Sequence, residues 1–337
     1  MRASSLVGPR SVAVVDVPPP VAVPGQVVVD VERVGVCGTD VEFFTGEMSY
    51  LHDGHAAYPL QLGHEWCGTV ASTGDGVDGS WLGRRVTGDT MLGCGRCGRC
   101  TSGRQHVCPQ RYEIGIRGGW PGALAEQLLV PVTALHALPD GLDTTAGALV
   151  EPGGNALRAA RAAEPAPGRR LLVWGPGSIG LLTAAFAAAE GAEVHLVGTE
   201  PRSLAFARGL GHAHVWTPDE LPDLPFDAVV DCTYGAEVPA RALDRVEPGG
   251  RLVLIGISGT PSTVDTRTLV LKDVTAVGIL SGSPGLAGAV RAYASGAVDP
   301  RPLVAATVGL EQVGDVLAGW RPVGAGAGPK VQVDPRR

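Results

Sequence analysis

Four cysteines lie close together in the stretch MLGCGRCGRCTSGRQHVC. They are Cys94, Cys97, Cys100 and Cys108, in the spacing C-x2-C-x2-C-x7-C. Four thiolates at this spacing suit one tetrahedral Zn²⁺, because zinc in closed structural sites favours soft sulfur ligands. The intervening residues are mostly Gly, Arg, Thr and Ser, which cannot build a hydrophobic core. The pattern therefore predicts a lobe, over about residues 90–110, that a structural zinc holds together.

Free or disulfide-bonded cysteines are the alternative interpretation of this cluster. The N-terminal sequence, MRASSLVGPRSVAVVDVPPP, has proline and charge where a signal peptide has an apolar stretch. We therefore expect a cytoplasmic protein, in which thiols stay reduced and available to metal. The 337 residues are 45% hydrophobic, which is typical of a globular protein with a substantial core. The net charge of -7, with no block of Lys or Arg, argues against a nucleic-acid partner, and no apolar run reaches the ~18 residues that span a bilayer.

A second group of residues combines thiolate, imidazole and carboxylate chemistry. Cys37 lies in GVCGTD, His64 and Glu65 lie in LGHEWCG, and Glu151 lies in LVEPGGNALRA. Each residue alone is a weak signal, since a single cysteine is usually a small buried hydrophobe. Together they supply the ligand types of a catalytic zinc, which keeps one coordination position open for water or substrate.

A glycine motif indicates a dinucleotide site. Gly175, Gly177 and Gly180 form G-x-G-x-x-G in LLVWGPGSIGLLTAAFAAAEGA, between a strand-like run and a helix-like run. The glycines permit a tight turn and close approach of the backbone to a pyrophosphate at the helix N-terminus. We expect Gly175, Gly177, Ser178 and Ile179 to contact the cofactor.

The end of the next strand bears on the choice between NAD and NADP. An NAD site usually has an acid there, which binds the ribose hydroxyls. That position falls on Gly198, and Thr199 and Arg202 follow it. A missing acid with a nearby hydroxyl and guanidinium suits a 2′-phosphate, whereas Glu200 favours NAD. We expect all four residues in the cofactor site and lean slightly towards NADP.

The order of apolar segments predicts an α/β fold with two domains. The first 150 residues are rich in short valine strands broken by Pro and Gly. Residues 170–285 alternate strand-like and helix-like runs, which is typical of βαβ units on a parallel sheet. The tail after about residue 286 has one more helical pattern and then short strands that end in KVQV.

These motifs, in this order and spacing, resemble the zinc-dependent medium-chain dehydrogenases of the alcohol dehydrogenase family along nearly the whole chain. The most similar branch is the polyol type, with sorbitol, threonine, butanediol and 2-deoxy-scyllo-inosamine dehydrogenases. The resemblance implies a GroES-like, β-rich catalytic domain over residues 1–152 and 286–337, and a Rossmann domain with a doubly wound parallel sheet over 153–285. It also implies two zinc ions per chain and a homodimer or homotetramer.

The resemblance further implies roles for single residues. Cys37 and His64 would bind the catalytic zinc, and either Glu65 or Glu151 would complete its protein ligands. Members of the family differ in which glutamate binds directly. Asp40 would accept a hydrogen bond from the second ring nitrogen of His64 and so fix its tautomer.

The implied reaction transfers hydride between a secondary alcohol and NAD(P), giving a ketone. Thr39 would contact the substrate oxygen and pass on its proton. Many relatives have histidine five residues after the cysteine ligand, where this chain has Glu42, so the exit of the proton stays open. Cys67 and Cys232 are interpreted as core thiols. A zinc-free enone or quinone reductase of the same superfamily, or a non-catalytic cofactor-binding relative, is the alternative.

The substrate is less defined than the reaction. The loop GEMSYLHDGHAAYPLQ lies between Cys37 and His64 in the sequence, and is expected to border the substrate pocket. Its side chains Tyr50, His52, Asp53 and His55 suit a polyhydroxylated or amino-bearing substrate. An exposed polar loop without that role is the alternative.

Overall fold

The computed structural model of the protein describes all residues, 1–337. Its strands are β1 Arg2–Gly8, β2 Ser11–Asp16, β3 Gln26–Gly35, β4 Glu65–Thr73, β5 Arg85–Gly88, β6 Met91–Leu92, β7 Tyr112–Glu113, β8 Gln127–Pro131, β9 Leu135–Ala137, β10 Arg170–Trp174, β11 Glu193–Val197, β12 His214–Trp216, β13 Phe226–Asp231, β14 Val246–Leu254, β15 Thr275–Gly278, β16 Val304–Val308 and β17 Lys330–Val333. Its α-helices are α1 Gly38–Thr45, α2 Ser49–His52, α3 Gly98–Thr101, α4 Thr144–Gly147, α5 Val150–Ala162, α6 Ser178–Ala189, α7 Pro201–Gly209, α8 Val238–Arg245, α9 Thr266–Leu271, α10 Leu286–Ala294 and α11 Val313–Leu317. Short 3-10 turns connect some of these elements. None of the helices is long and apolar enough to cross a membrane.

The chain divides into two compact units. The first contains Met1–Glu151 and Asp299–Arg337, and the second contains Pro152–Val298. The chain therefore returns to the first unit at 299, later than the expected 286. The difference is α10, which packs within the second unit, where the ring of Tyr293 stacks on that of Phe186 at a centroid distance of 6.0 Å.

A seven-stranded sheet forms the frame of the first unit. Its strand order is β16-β17-β3-β4-β5-β9, and β8 also pairs with β3. Val27, Val29 and Val31 occupy alternate positions of β3 and lie in a core in which Trp66 is fully buried. In the antiparallel register of β3 and β4, Gly35 lies opposite Glu65. The residues just after β3 and just before β4, which include Cys37 and His64, therefore lie at the same end of the strand pair.

A six-stranded, entirely parallel sheet forms the frame of the second unit. Its order is β12-β11-β10-β13-β14-β15. This is the arrangement of two mononucleotide-binding halves, in which strand order reverses beside the first strand and ligands bind at the carboxyl ends. The first strand of this sheet along the chain is β10, and the glycine motif follows it directly. The predicted doubly wound sheet is confirmed.

Candidate active site

The four clustered cysteines converge as the sequence predicts. The Cys97 and Cys100 sulfurs are 3.6 Å apart, those of Cys97 and Cys108 are 3.8 Å apart, and those of Cys94 and Cys100 are 4.0 Å apart. Tetrahedral zinc with Zn–S bonds of about 2.3 Å requires sulfurs about 3.8 Å apart. All four ligand atoms lie within 4.8 Å of one another, so the cluster fits one zinc ion with no position left for a substrate.

Backbone N–H groups favour the thiolate form of two of these cysteines, which is the form that binds a cation. Hydrogen bonds from the N–H groups of Arg96 and Cys97 lower the pKa of Cys94 to about 6, and the N–H of Cys100 lowers that of Cys97. Burial raises the pKa of Cys100 to about 12. Zinc binds the thiolate form of cysteine, so its binding releases the protons of those thiols that are still protonated.

Cys37, His64 and Glu65 form a second group, with ligand atoms within 4.8 Å of one another. Cys37 is the N-cap residue of α1, and its backbone N–H donates to Asp40 at 2.8 Å. The other carboxylate oxygen of Asp40 lies 3.5 Å from Nδ1 of His64, as predicted for a partner of that ring. Burial opposes charge on His64, but Asp40 and Cys37 raise its pKa well above the ordinary value.

Glu65 has a partner that the sequence reasoning missed. Lys330, on β17, is 4% exposed, and its Nζ donates to Oε1 of Glu65 at 2.5 Å and to the carbonyl of Val36 at 3.1 Å. Burial alone would lower the pKa of Lys330, but Glu65 and Cys37 outweigh it and raise that pKa. The only sequence signal was that Lys330 is one of two lysines in the chain and lies in the final strand.

One unpaired atom of this group fits a metal ion. Oε2 of Glu65 is buried without a hydrogen-bond partner, whereas Nδ1 of His64 and Oδ1 of Asp40 face each other. A buried carboxylate oxygen without a partner is rare and costly, so its position beside a thiol and an imidazole requires an explanation. Gly35 leaves room for the Glu65 carboxylate, since a Cβ there would overlap Oε2. Cys37, His64 and Glu65 together form a catalytic-type zinc site of one thiolate, one imidazole and one carboxylate.

The remaining predicted catalytic residues lie on two helices. Glu151 is buried in the first turn of α5 and does not belong to the group of mutually close ligand atoms. Thr39 is in the first turn of α1, and Glu42 follows three residues later, so the two share a face of that helix. Burial raises the pKa of Glu42, and nearby Glu47 raises it further.

The glycine motif has the predicted geometry. Gly175 follows β10 with a φ of 95°, where a Cβ would lie 2.8 Å from a methyl of Thr233. Gly177 is the N-cap residue of α6, so the free amides of Ser178 and Ile179 lie at the helix N-terminus. A Cβ on Gly180 would overlap the carbonyl of Gly175, which explains the close packing of helix and turn. These features suit a pyrophosphate.

The residues after β11 form the other part of the candidate dinucleotide site. A Cβ on Gly198 would lie 2.5 Å from Pro176, so no acidic side chain fits at that position. The carboxylate of Glu200 accepts a hydrogen bond from the N–H of Ser203 at 2.9 Å and caps α7. Arg202 is exposed within the first turn of that helix.

A third group of ligand-type residues does not suit a metal. Glu193, His195 and His214 lie close together on β11 and β12. Trp216 donates its indole N–H to Nδ1 of His195 at 3.1 Å, so the proton of the neutral ring is on Nε2, which lies 2.8 Å from Glu193. A metal bound at Nε2 would move the ring proton to Nδ1. There the N–H of the ring would face the N–H of the Trp216 indole, and the hydrogen bond between them would be lost. The histidine is a satisfied core residue.

Two family models match the chain. The alcohol dehydrogenase GroES-like domain matches residues 23–140, and the zinc-binding dehydrogenase model matches residues 178–295. The first match confirms the predicted GroES-like fold of the first unit, and the second agrees with the parallel sheet of the second.

Curated relatives match over nearly their full length. The chain is 30% identical to a 2-dehydro-3-deoxy-L-galactonate 5-dehydrogenase of Pseudoalteromonas atlantica, over 94% of each chain. It is 28% identical to an L-threonine 3-dehydrogenase of Rhizobium rhizogenes, over 94% of this chain and 93% of that one. A solved structure of a zinc-binding dehydrogenase from Sinorhizobium meliloti, bound to NADP, superposes with a TM-score of 0.88 at 28% identity and covers 99% of both chains. The chain belongs to the zinc-containing alcohol dehydrogenases of the medium-chain family, in the polyol, threonine and butanediol dehydrogenase-like branch, and is an NAD(P)-dependent enzyme that acts on CH–OH groups.

Proposed function

We propose that the enzyme oxidises a secondary alcohol of the polyol or amino-cyclitol class to a ketone, and catalyses the reverse reduction, at the site of Cys37, His64 and Glu65. The observation that supports this most is the convergence of these three ligand types, with Oε2 of Glu65 buried and unpaired. A zinc-free reductase has no use for that arrangement. A non-catalytic relative would be expected to lose Cys37, His64 or Thr39, and all three are present.

Cys37, His64 and Glu65 would hold the zinc ion, which would supply Lewis acidity that favours the ionised form of an alcohol hydroxyl. The protein orients its ligands. Asp40 fixes the His64 ring, and Lys330 holds one oxygen of Glu65 while leaving the other for the metal. We assign Glu65 as the direct ligand, with Glu151 outside the ligand set. Thr39 accepts the proton of the alcohol while it donates its own hydroxyl proton onward, and Glu42, whose pKa is raised by burial, accepts that proton and releases it to solvent.

A screen of cofactor reduction tests the substrate class. Polyols, amino-cyclitols, short secondary alcohols and threonine are each offered with NAD and with NADP, and the appearance of reduced nicotinamide is followed. We expect turnover with at least one polyol or amino-cyclitol, well above that with short alcohols. Turnover confined to threonine or to short alcohols would contradict the proposed class, though not the family.

We infer that NADP is the preferred cofactor, since Gly198 excludes an acid and the Glu200 carboxylate is used to cap α7. Arg202→Ala is expected to lower kcat/KM for NADP by about 10- to 100-fold, as charged hydrogen bonds contribute about 1.5–3 kcal/mol. Steady-state kinetics with NAD are the internal control and should change less than about threefold. An equal effect on both cofactors, or a faster wild-type reaction with NAD, would overturn the preference.

We also propose that the enzyme is a homo-oligomer, a dimer or tetramer, assembled through the β15 edge of the second unit. β15 pairs only with β14, and Val270 and Leu271 on the neighbouring α9 are 78% and 85% exposed. An unprotected edge beside exposed apolar side chains suits a second copy of the same surface.

Leu271→Asp should therefore weaken self-association. A twofold interface loses one buried leucine from each copy, at about 1.5–3 kcal/mol per leucine, which together weaken Kd by roughly 10²- to 10⁴-fold. Light scattering coupled to size exclusion measures the mass of the species. Val323→Asp, which changes a fully exposed valine in the first unit, is the control. A monomeric wild-type enzyme, or an unchanged Leu271→Asp oligomer, would refute this interface.

A further inference from the structure

A cavity of about 570 Å³ lies in the first unit beside the zinc lobe. Its lining includes Arg96, Arg111, Arg117 and His55. The segment 93–118 contains five arginines and a single carboxylate residue, although the chain as a whole has a net charge of -7. The cavity is therefore a basic site in an acidic protein.

Two of the guanidinium groups are held in place by the protein. Arg111 donates through Nε to Glu113 at 2.7 Å and through Nη2 to the hydroxyl of Tyr50 at 3.3 Å. Nη2 of Arg117 lies 3.2 Å from Nε2 of His55, and its guanidinium lies 5.5 Å from the centre of the Tyr50 ring. The two arginine side chains are only 15% and 14% exposed. Binding an anion there requires little further ordering of either side chain.

The internal partners do not use all of the donors. The two guanidiniums carry about ten N–H groups between them, and their recorded partners are Glu113, Tyr50 and His55. The carboxylate of Glu113 balances one positive charge. The two positive charges of Arg111 and Arg117 exceed this one negative charge, and Arg96, which is exposed, adds a further positive charge.

The thiolates of the zinc lobe are a competing reason for this basic surface, because Cys94 lines the same cavity. The side-chain partners of Arg111 and Arg117 are Glu113, Tyr50 and His55, and none of the four cysteines is among them. Arg99, also in the lobe, donates to the carbonyl of Val107. The guanidiniums of Arg111 and Arg117 therefore do not hold the cysteine sulfurs and are available for a separate ligand.

We propose that this cavity binds a small oxyanion, either a carboxylate or a phosphate group. Arginine recognises both groups through paired N–H bonds, and partial burial of Arg111 and Arg117 strengthens the attraction. Two sources share this chemistry. The anion is either a group carried by the substrate or a free anion that binds beside it.

The cavity is connected by hydrogen bonds to the proposed catalytic site. The hairpin of residues 113–117 carries Arg117, and the N–H of Ile114 in this hairpin donates to the carbonyl of Thr90 at 3.0 Å. The hydroxyl of Thr90 donates to the carbonyl of His64 at 3.2 Å. An anion bound on the hairpin therefore contacts an element that packs directly on the residues around His64. The possibility that the substrate carries the anion rests on the function proposed above, whereas anion binding itself does not.

Binding of inorganic phosphate to the zinc-loaded, full-length enzyme tests the site. The measurement is made by titration calorimetry with saturating cofactor, so that the dinucleotide site is already filled. We expect saturable binding that weakens at least about tenfold in Arg117→Gln, the loss expected when one charged hydrogen bond is removed. Arg104→Gln changes an exposed arginine of the same lobe outside the cavity and should bind phosphate as the wild type does. No saturable binding, or equal binding in Arg117→Gln and wild type, would overturn the proposal.

Kinetics then distinguish the two sources. If the anion belongs to the substrate, Arg117→Gln raises KM for alcohols that carry a carboxylate or phosphate and leaves KM for neutral alcohols unchanged, and phosphate competes with the charged alcohols only. If the anion is free, phosphate changes the turnover of neutral alcohols without competing with them. Either kinetic result requires that phosphate binds in the cavity. An enzyme that oxidises none of the alcohols but still binds phosphate through Arg117 would refute the proposed function and leave the proposed anion site standing.

Discussion

Cys37→Ser is expected to lower kcat/KM for alcohol oxidation by at least about a hundredfold, because loss of a direct ligand should cost no less than loss of a residue that orients one. The fold should remain intact. Cys37 contributes to α1 through its backbone N–H, which donates to Asp40, and serine is a favourable N-cap residue. Initial rates and far-ultraviolet circular dichroism measure the two effects separately.

Cys67→Ser is the matched control for this variant. Cys67 is a buried thiol whose Sγ lies 3.2 Å from the carbonyl of Thr144, a hydrogen bond that a serine hydroxyl can also make. It lies outside both cysteine-containing metal groups. We expect Cys67→Ser to keep most of its activity. A Cys37→Ser enzyme that oxidises alcohols at the wild-type rate would remove Cys37 from the mechanism.

Cys97→Ser is expected to destabilise the protein before it affects chemistry. The sulfur of Cys97 lies within 4 Å of those of Cys100 and Cys108, so its loss opens the tetrahedral site. The lobe has little else to hold it: α3 has only four residues, none of them buried. Structural zinc contributes about 10–16 kcal/mol in small zinc domains. Even a fifth of that, about 2–3 kcal/mol, should lower Tm by about 4–13 °C in a unit the size of the first one.

Thermal melts of Cys97→Ser and Cys37→Ser, with rates measured below both transitions, separate the two roles. We expect the lower Tm in Cys97→Ser and the lower rate in Cys37→Ser. A Cys97→Ser protein with wild-type Tm and no activity would show that the lobe acts directly in catalysis, against the closed four-sulfur geometry.

The parts of the site that the sequence predicts are those held by short segments. The four cysteines of the lobe and the glycine motif each lie within a single short stretch, so spacing alone constrains their geometry. The proposed choice of Glu65 over Glu151 could not be made in this way, because it depends on which carboxylate the fold places beside Cys37 and His64.

Lys330 shows where sequence reasoning stops. It lies 265 residues from Glu65, and the two come together only because β17 and β4 both pair with β3. A lysine in a terminal strand carries no local pattern that distinguishes an ion-pair partner from a surface charge. The return of the chain to the first unit was misplaced for a similar reason. The helical pattern of α10 is visible in the sequence, but its packing within the second unit is not.

The zinc content of the purified enzyme tests the central claim most directly. Elemental analysis of the wild type, Cys37→Ser and Cys97→Ser should give about two, one and one zinc ions per chain, because the two metal groups share no residue. The same samples are assayed for alcohol oxidation. A fully active wild-type enzyme with a single zinc, retained in Cys37→Ser and lost in Cys97→Ser, would place all of the metal in the lobe and contradict catalysis at Cys37, His64 and Glu65.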